Sequence, residues 1–200
     1  FLSHAVKEIR GNNRVESVII SPLMDNSGKK DFDIKCDTLL LSVGLIPENE
    51  LSLKAGILLD QATRGPKVDS KLMTSVPGIF ACGNVLHVHD LVDWVSEEAE
   101  YCGEQTAKFV KCKDRKTKGI PVIVGSALNY ILPMEGFPGE PVTLCFRVVS
   151  PMENISIIVR TDTETIYTKK YRKIFPNVMQ RLKIANIPLS AKNLHISVLT

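Results

Sequence analysis

Residues 74–84 read T-S-V-P-G-I-F-A-C-G-N, and the rest of the chain can be interpreted around this stretch. A proline–glycine pair predicts a turn, and the apolar run 79–82 has the length of a short strand. Gly83 and Asn84 end that strand in front of a long helical pattern. A glycine there lets a ligand come close, because no Cβ blocks it, and the helix directs free N–H groups to the same spot. The corner suits an anionic or hydroxyl-rich cofactor, although many α/β proteins have such a corner without a ligand.

This stretch resembles the second flavin-binding fingerprint of the pyridine-nucleotide:flavin oxidoreductases, T-x-x-x-x-I-F-A-x-G-D. The positions that match are Thr74, Pro77, Gly78, Ile79, Phe80, Ala81 and Gly83. In the family, the terminal aspartate hydrogen-bonds a ribityl hydroxyl of FAD, whereas this chain has Asn84. An asparagine keeps an acceptor oxygen but loses the charge, which weakens such a bond by about 1 kcal/mol. The resemblance implies that FAD is a cofactor and that Gly83 and Asn84 contact it.

A second motif, C-D-T-L-L-L-S-V-G-L-I-P-E-N, lies upstream at residues 36–49. Its apolar run 39–43 predicts a strand buried on both faces, with a turn after it. The motif is similar to the family's strand that leads from the NAD(P)-binding domain to the FAD-binding domain, with Gly44 and Pro47 at the positions of G-x-x-P-N. The resemblance implies that NAD(P) is a second cofactor and that hydride passes from nicotinamide to flavin N5 and on to another acceptor.

The helical pattern after the corner follows an Asp90 N-cap and continues to Val110 without a proline. In the family, the start of this helix faces the pyrimidine edge of the isoalloxazine ring and stabilises negative charge on the reduced flavin. The resemblance gives that role to the backbone amides near Asp93, Trp94 and Val95. Asp93 is also the simplest capping partner of this helix start.

Two histidines, His87 and His89, lie in the loop between the corner and the helix. They are candidates for catalysis, by positive charge or proton transfer, with surface or capping roles as the alternative. Four glutamates on the helix lie off its apolar stripe and are expected to form a solvated face: Glu97, Glu98, Glu100 and Glu104.

The two ends of the chain predict β-structure. The first 43 residues contain the extended segments 1–9, 15–21 and 32–35, with a polar loop at 25–31. After a basic linker at 115–119, six runs predict a small β-sandwich, namely 121–124, 142–148, 155–160, 165–171, 179–184 and 194–199. The predicted fold is α/β, the C-terminal half of a two-dinucleotide-binding-domain flavoprotein, followed by a small all-β sandwich-like domain. The predicted domains are 1–48, the end of the NAD(P)-binding domain, 49–114, the second half of the FAD-binding domain, and 119–200.

The G-x-G-x-x-G turns that hold the pyrophosphates of FAD and NAD(P) do not occur in this sequence. We therefore expect a fragment, the C-terminal part of an FAD-dependent NAD(P) oxidoreductase similar to bacterial NAD(FAD)-utilising dehydrogenases, and inactive by itself. Its expected partners are the missing N-terminal FAD/NAD(P)-binding portion and another oxidoreductase subunit. The alternative is a non-enzymatic module, a degenerate half-domain plus a β-sandwich used in subunit association.

Composition excludes several other classes of protein. The chain has 200 residues, of which 44% are hydrophobic and 24% charged, and a net charge of +3, so it has enough apolar residues for a core. Its five cysteines form no C-x-x-C pair, which argues against a metal site and favours a reducing cytoplasm. Basic residues without interleaved aromatics argue against nucleic-acid binding, and no apolar run is long enough for a membrane span.

Overall fold

The computed structural model describes residues 1–24, 30–42, 44–111 and 118–199. Most of the predicted loop 25–31, Val43, the boundary at residue 114 and most of the linker 115–119 lie outside these residues. The chain divides into two compact units, Phe1–Gly44 and Leu45–Thr200. The three predicted domains remain a prediction. In the described residues, no helix combines the length and the apolar character that crossing a membrane requires.

The first unit is a three-stranded antiparallel sheet in the order β1-β2-β3. Its strands are β1 His4–Arg10, β2 Ser17–Pro22 and β3 Phe32–Lys35. The centre of the sheet is Val18, which is buried and pairs with Ile34. The three strands fall on the three extended segments predicted from the sequence, with ends shifted by one to three residues in β1 and β2.

The predicted strand 39–43 is wrong over its described residues, which have no regular secondary structure. Leu40 is 89% exposed and Leu41 is 65% exposed. A strand that is buried on both faces needs strands beside it and a covering layer on each side. The described residues of the first unit supply neither, so an apolar run alone does not form the strand.

The first half of the second unit contains two α-helices, α1 Glu50–Lys54 and α2 Val92–Lys111, and a 3-10 turn at Gly83–Val85. The segments 57–59 and 66–68 form only isolated bridges, between Leu59 and Pro66 and between Val68 and Thr74. The described structure as a whole is mostly β-sheet with these two helices. It therefore does not establish the α/β arrangement expected for residues 1–114.

The second half forms two sheets, with strand orders β10-β7-β5 and β6-β4-β11-β8-β9. All pairs are antiparallel except β4 with β11, which are parallel. The strands are β4 Ile120–Val124, β5 Leu128–Leu132, β6 Glu135–Gly136, β7 Val142–Val148, β8 Met152–Arg160, β9 Thr165–Ile174, β10 Gln180–Ile184 and β11 Leu194–Leu199. Both sheets contribute to one apolar core, which includes Phe146, Ile157 and Leu194. Six of the eight strands correspond to the six predicted runs.

Strand β5 connects the two halves of the second unit and was not predicted. Leu128 and Ile131 belong to the core of the two sheets, whereas Tyr130 and Leu132 belong to a second core with Leu86. The strand is therefore buried on both faces. A bulge between Leu128 and Tyr130 breaks the regular register, so the alternation that identifies a strand in sequence is lost.

Candidate functional site

The corner at residues 82–85 is a sharp turn between an extended segment and a short 3-10 helix. Cys82 is extended (φ −150°, ψ 168°), and Gly83 has φ +71°. The N–H groups of Leu86 and His87 both donate to the Gly83 carbonyl, at 2.9 and 3.2 Å. The predicted strand 79–82 is wrong, because it forms only an isolated bridge between Met73 and Phe80 and no continuous ladder.

Gly83 is required by the backbone conformation, whereas packing alone would admit a Cβ at this position. A φ of +71° lies in the left-handed region, which costs other residues about 1–2 kcal/mol. A Cβ at this position would lie 3.5 Å from Cγ1 of Val95, in the first turns of α2. The structure therefore brings two of the predicted cofactor-binding residues, Gly83 and Val95, into the same small region.

The other predicted cofactor-binding residues lie at the same end of α2. Asn84 is exposed, and its Oδ1 accepts the His89 N–H at 3.2 Å. Asp93 is exposed in the first turn of the helix. The Trp94 N–H donates to the Leu91 carbonyl at 3.2 Å. An exposed amide side chain beside a helix start leaves room for a hydroxyl-bearing ligand.

The Trp94 ring has a separate contact, because the guanidinium carbon of Arg181 in β10 lies 5.2 Å from its centroid. This is a cation–π distance. The Trp94 side chain therefore joins α2 to the two-sheet half of the unit, a role that the sequence did not indicate.

Asp90 does not cap α2, which begins at Val92. Its carboxylate instead accepts from Arg147 Nη2 and, at 2.6 Å, from the Met179 N–H. Arg147 Nη2 also donates to the Val88 carbonyl at 3.1 Å. These charge-assisted bonds occupy the carboxylate and connect the loop before α2 to the sheet that contains β7.

Glu98 lies behind the corner, and its assignment to a solvated face is wrong. Its side chain is 13% exposed, and its Oε1 accepts the Gly83 N–H at 2.7 Å. Its Oε2 lies 3.1 Å from His87 Nε2 and 3.2 Å from His89 Nε2. One carboxylate therefore holds the turn at Gly83 and both histidines of the loop.

The two histidines are buried members of a cluster with Glu98 and not surface residues. Their side chains are each 2% exposed, and their ring centroids are 4.3 Å apart. His87 Nδ1 lies 3.5 Å from the Tyr130 hydroxyl, while His89 Nδ1 is buried and has no hydrogen-bond partner among the described residues. Their predicted catalytic role remains a prediction.

The charge of this cluster follows from burial and hydrogen bonding. Burial by itself raises the pKa of Glu98, but the bonds from His87 and His89 outweigh it and hold the pKa at about 2. Burial lowers the pKa of His87 below its ordinary 6.5. At neutral pH the cluster thus contains an ionised carboxylate and a neutral His87 ring.

A cavity of about 350 Å³ borders the cluster. Its lining includes His87, Tyr130, Arg147 and Arg64. One imidazole of the cluster is therefore next to a space that is large enough for water or a small ligand. The three ligand atoms of His87, His89 and Glu98 lie within 4.8 Å of one another, a spacing that could hold a metal ion.

The burial of Glu98 has a sequence signal, although Glu98 lies off the apolar stripe of the helix. Glu98, Cys102 and Gln105 follow the i, i+4, i+7 spacing of one helix face, and Cys102 and Gln105 are buried. The partnership of Asp90 with Arg147 had no such signal, since 57 residues separate the two.

An extended segment, a left-handed glycine and the start of a long helix together form a corner that is typical of nucleotide-cofactor sites. Residues 2–108 match the family of pyridine nucleotide-disulphide oxidoreductases, which is more than half of the chain. The chain therefore belongs to that family. This confirms the family assignment made from the fingerprint at residues 74–84.

Three curated relatives are similar to this chain. Dihydrolipoyl dehydrogenase of Manduca sexta is 38% identical over 101 residues, which are 50% of the chain and 20% of that protein. Ferredoxin--NADP reductase of Metallosphaera sedula is 32% identical over 89 residues, 44% of the chain and 25% of that protein. Mitochondrial dihydrolipoyl dehydrogenase of Caenorhabditis elegans is 37% identical over 81 residues, 40% of the chain and 16% of that protein. The chain thus matches a quarter or less of the length of these relatives.

Proposed function

We propose that this chain is the C-terminal portion of an FAD-dependent NAD(P) oxidoreductase, a flavoprotein dehydrogenase, and that the corner at Gly83 and Asn84 contacts the FAD. The observation that carries the proposal is the left-handed turn at Gly83, packed against α2 at Val95 within the part of the chain that matches the family. Dihydrolipoyl dehydrogenase and ferredoxin--NADP reductase are the names of its relatives. Both names describe oxidoreductases.

The residues at the corner fit the part of FAD that they would hold. Asn84 has an exposed side chain that can bond a ribityl hydroxyl. The left-handed turn, which glycine adopts without strain, places the exposed Asn84 side chain directly after Gly83. The amides at the start of α2, near Asp93, would lie at the positive end of the helix dipole, where negative charge is stabilised. FAD, when bound, supplies the hydride-accepting centre opposite the nicotinamide.

Glu98 has a supporting role in this proposal. Its Oε1 accepts the Gly83 N–H, so that this amide is directed toward α2. The conformation of the turn is therefore fixed before a ligand binds, which reduces the entropic cost of binding. We assign Glu98 as a positioning residue for the corner.

We propose that the partner of this chain is an N-terminal portion that carries the two pyrophosphate-binding turns. Between residues 45 and 92, seven large apolar side chains are between 51% and 80% exposed, namely Leu45, Ile46, Leu51, Leu53, Leu58, Leu91 and Val92. Such a group of exposed apolar side chains is typical of a surface that another polypeptide segment covers. Residues 1–200 alone, without this portion, would be inactive.

The two-sheet half at residues 119–200 is proposed to act as a sandwich-like domain for packing against another oxidoreductase subunit. A cytoplasmic location is part of the same proposal. It is supported by the free thiols of Cys36, Cys82, Cys102 and Cys145, which suit a reducing compartment.

The test uses the whole protein that contains this chain and measures flavin retention during dialysis. Asn84→Asp changes a neutral hydrogen bond into a charge-assisted one, a gain of about 1 kcal/mol, so flavin affinity should rise roughly five- to tenfold. Asn84→Ala should lower retention, whereas Asn13→Asp, at an exposed position in the first unit, should leave it unchanged. If the purified protein contains no flavin, or if Asn84→Asp and Gly83→Val both leave retention unchanged, the corner does not contact the cofactor.

A further inference from the structure

The cluster of His87, His89 and Glu98 has the geometry of three metal ligands. Both Nε2 atoms approach the same carboxylate oxygen, at 3.1 and 3.2 Å. In a tetrahedral zinc site, bonds of about 2.0–2.1 Å put neighbouring ligand atoms about 3.3 Å apart. A small displacement of each side chain would therefore be enough to admit an ion between them.

Hydrogen bonds alone would also give these distances, but among the described residues they leave the Glu98 carboxylate without a Lys or Arg partner. The Glu98 side chain is 13% exposed, and the partners of its two oxygens are the Gly83 N–H and the two imidazoles. The two guanidinium groups nearby have other acidic partners, because Arg147 pairs with Asp90 and Arg181 pairs with Glu97. A buried carboxylate without a Lys or Arg partner is costly, and a bound cation would offset that cost.

The ligand types indicate which ions fit. Two imidazoles and one carboxylate suit divalent transition metals, whereas Mg²⁺ and Ca²⁺ prefer oxygen ligands only. Three protein ligands also leave one coordination position open. The cavity beside His87 could supply a water or a small ligand to that position.

We propose that His87, His89 and Glu98 bind a divalent transition-metal ion of the Zn²⁺ type through the two Nε2 atoms and Oε2. The ion joins the loop at residues 87–89 to α2, while Oε1 of Glu98 keeps its bond with the Gly83 N–H. The site does not depend on the proposed flavin function, because none of its ligands is a residue assigned to contact FAD. It differs from the expectation, drawn from the absence of cysteine pairs, that the chain has no metal site, and the experiment below decides between the two.

The experiment uses the whole protein, purified without a polyhistidine tag and treated with a chelator. Zn²⁺ binding is then measured by calorimetry and by metal analysis after dialysis. We expect one Zn²⁺ per chain. His89→Ala and Glu98→Gln should each weaken binding at least about 100-fold, because loss of a ligand exceeds the 10- to 100-fold effect typical of groups that only orient ligands.

Two variants provide matched controls. Glu97→Gln changes the neighbouring carboxylate of α2, which pairs with Arg181, and His195→Ala removes a histidine in β11. Both should bind Zn²⁺ within about threefold of the unchanged protein. Circular dichroism of each variant checks the fold.

If the ligand variants fail to fold, X-ray absorption of the Zn²⁺-loaded unchanged protein identifies the ligand atoms of the ion and tests the proposal. Two imidazole ligands support the proposal, and sulfur ligands overturn it by assigning the ion to cysteines. Failure of the unchanged protein to retain Zn²⁺ also overturns it, as does retention by His89→Ala and Glu98→Gln that equals that of the unchanged protein. Either result identifies the cluster as a hydrogen-bonded support of the corner. Flavin content is read separately from the visible spectrum, so that failure of this proposal is distinguishable from failure of the flavin assignment.

Discussion

Replacement of Asp90 by alanine should destabilise the second unit by about 3 kcal/mol. The change removes the acceptor of the buried Met179 N–H, at 2.6 Å, and the partner of Arg147. Bonds to charged groups contribute about 1.5–3 kcal/mol each. Because the two side chains of the ion pair are 27% and 16% exposed, water screens part of its energy, and we take the lower end of that range for both contacts.

A graded series of variants tests this magnitude. Asp90→Asn keeps one acceptor oxygen without the charge and should lower the free energy of unfolding by about half as much as Asp90→Ala does. The control is Glu104→Gln, which removes an exposed pair with Lys108 at 3.6 Å and should cost less than about 0.5 kcal/mol. A double-mutant cycle with Arg147→Met separates the ion pair from the bond to Met179.

The measurement is urea unfolding of residues 1–200 followed by tryptophan fluorescence. Trp94 is the only tryptophan in the sequence, and Arg181 of β10 lies over its ring. The signal therefore reports the contact between α2 and the two-sheet half of the unit. The reasoning is refuted if Asp90→Ala shifts the free energy of unfolding no more than Glu104→Gln does.

Three further predictions concern the backbone, the thiols and pH. Gly83→Ala and Gly56→Ala should each lower the free energy of unfolding in urea by about 1–2 kcal/mol, because the two glycines have φ of +71° and +73°. Only Gly83→Ala should release flavin from the whole protein. Equal flavin retention in the two variants would contradict the assignment. Burial raises the pKa of the Cys102 and Cys145 thiols to about 12, so iodoacetamide at about pH 8 should leave both unlabelled in the folded protein, and mass spectrometry showing rapid labelling would disprove this. Burial lowers the pKa of His87 below 6.5, so as pH falls the unfolded chain takes up this proton before the folded chain does. The free energy of unfolding should therefore decrease as pH drops through 6.5. In chelator-treated protein, His87→Asn should make this decrease with pH less steep, and an unchanged pH dependence would count against the assignment of His87.

The sequence by itself identified the family and most of the strands. The fingerprint at residues 74–84 depends on local chemistry, since a turn, a glycine and a helix start are each specified by nearby residues. The same holds for the runs 142–148 and 194–199, which are strands with the predicted bounds. In these segments the apolar pattern and the turn residues at both ends agree with the final structure.

Prediction failed where a segment depends on neighbours that are distant along the chain. The apolar run 39–43 was expected to form a buried strand, but a sheet needs partner strands, and a single segment cannot indicate whether they are present. Strand β5 was missed for a related reason, because it is buried between two cores and a bulge interrupts its alternation.

The candidate site shows the same division. Gly83, Asn84 and the start of α2 could be assigned from sequence, because a fingerprint keeps them close together along the chain. Tertiary structure decided the rest: Glu98 turns inward to hold Gly83 and both histidines, and Asp90 pairs with Arg147 across 57 residues instead of capping its own helix. The physical reason is that a carboxylate takes the strongest donors within reach, and which donors are within reach is known only once the sheets have packed against α2.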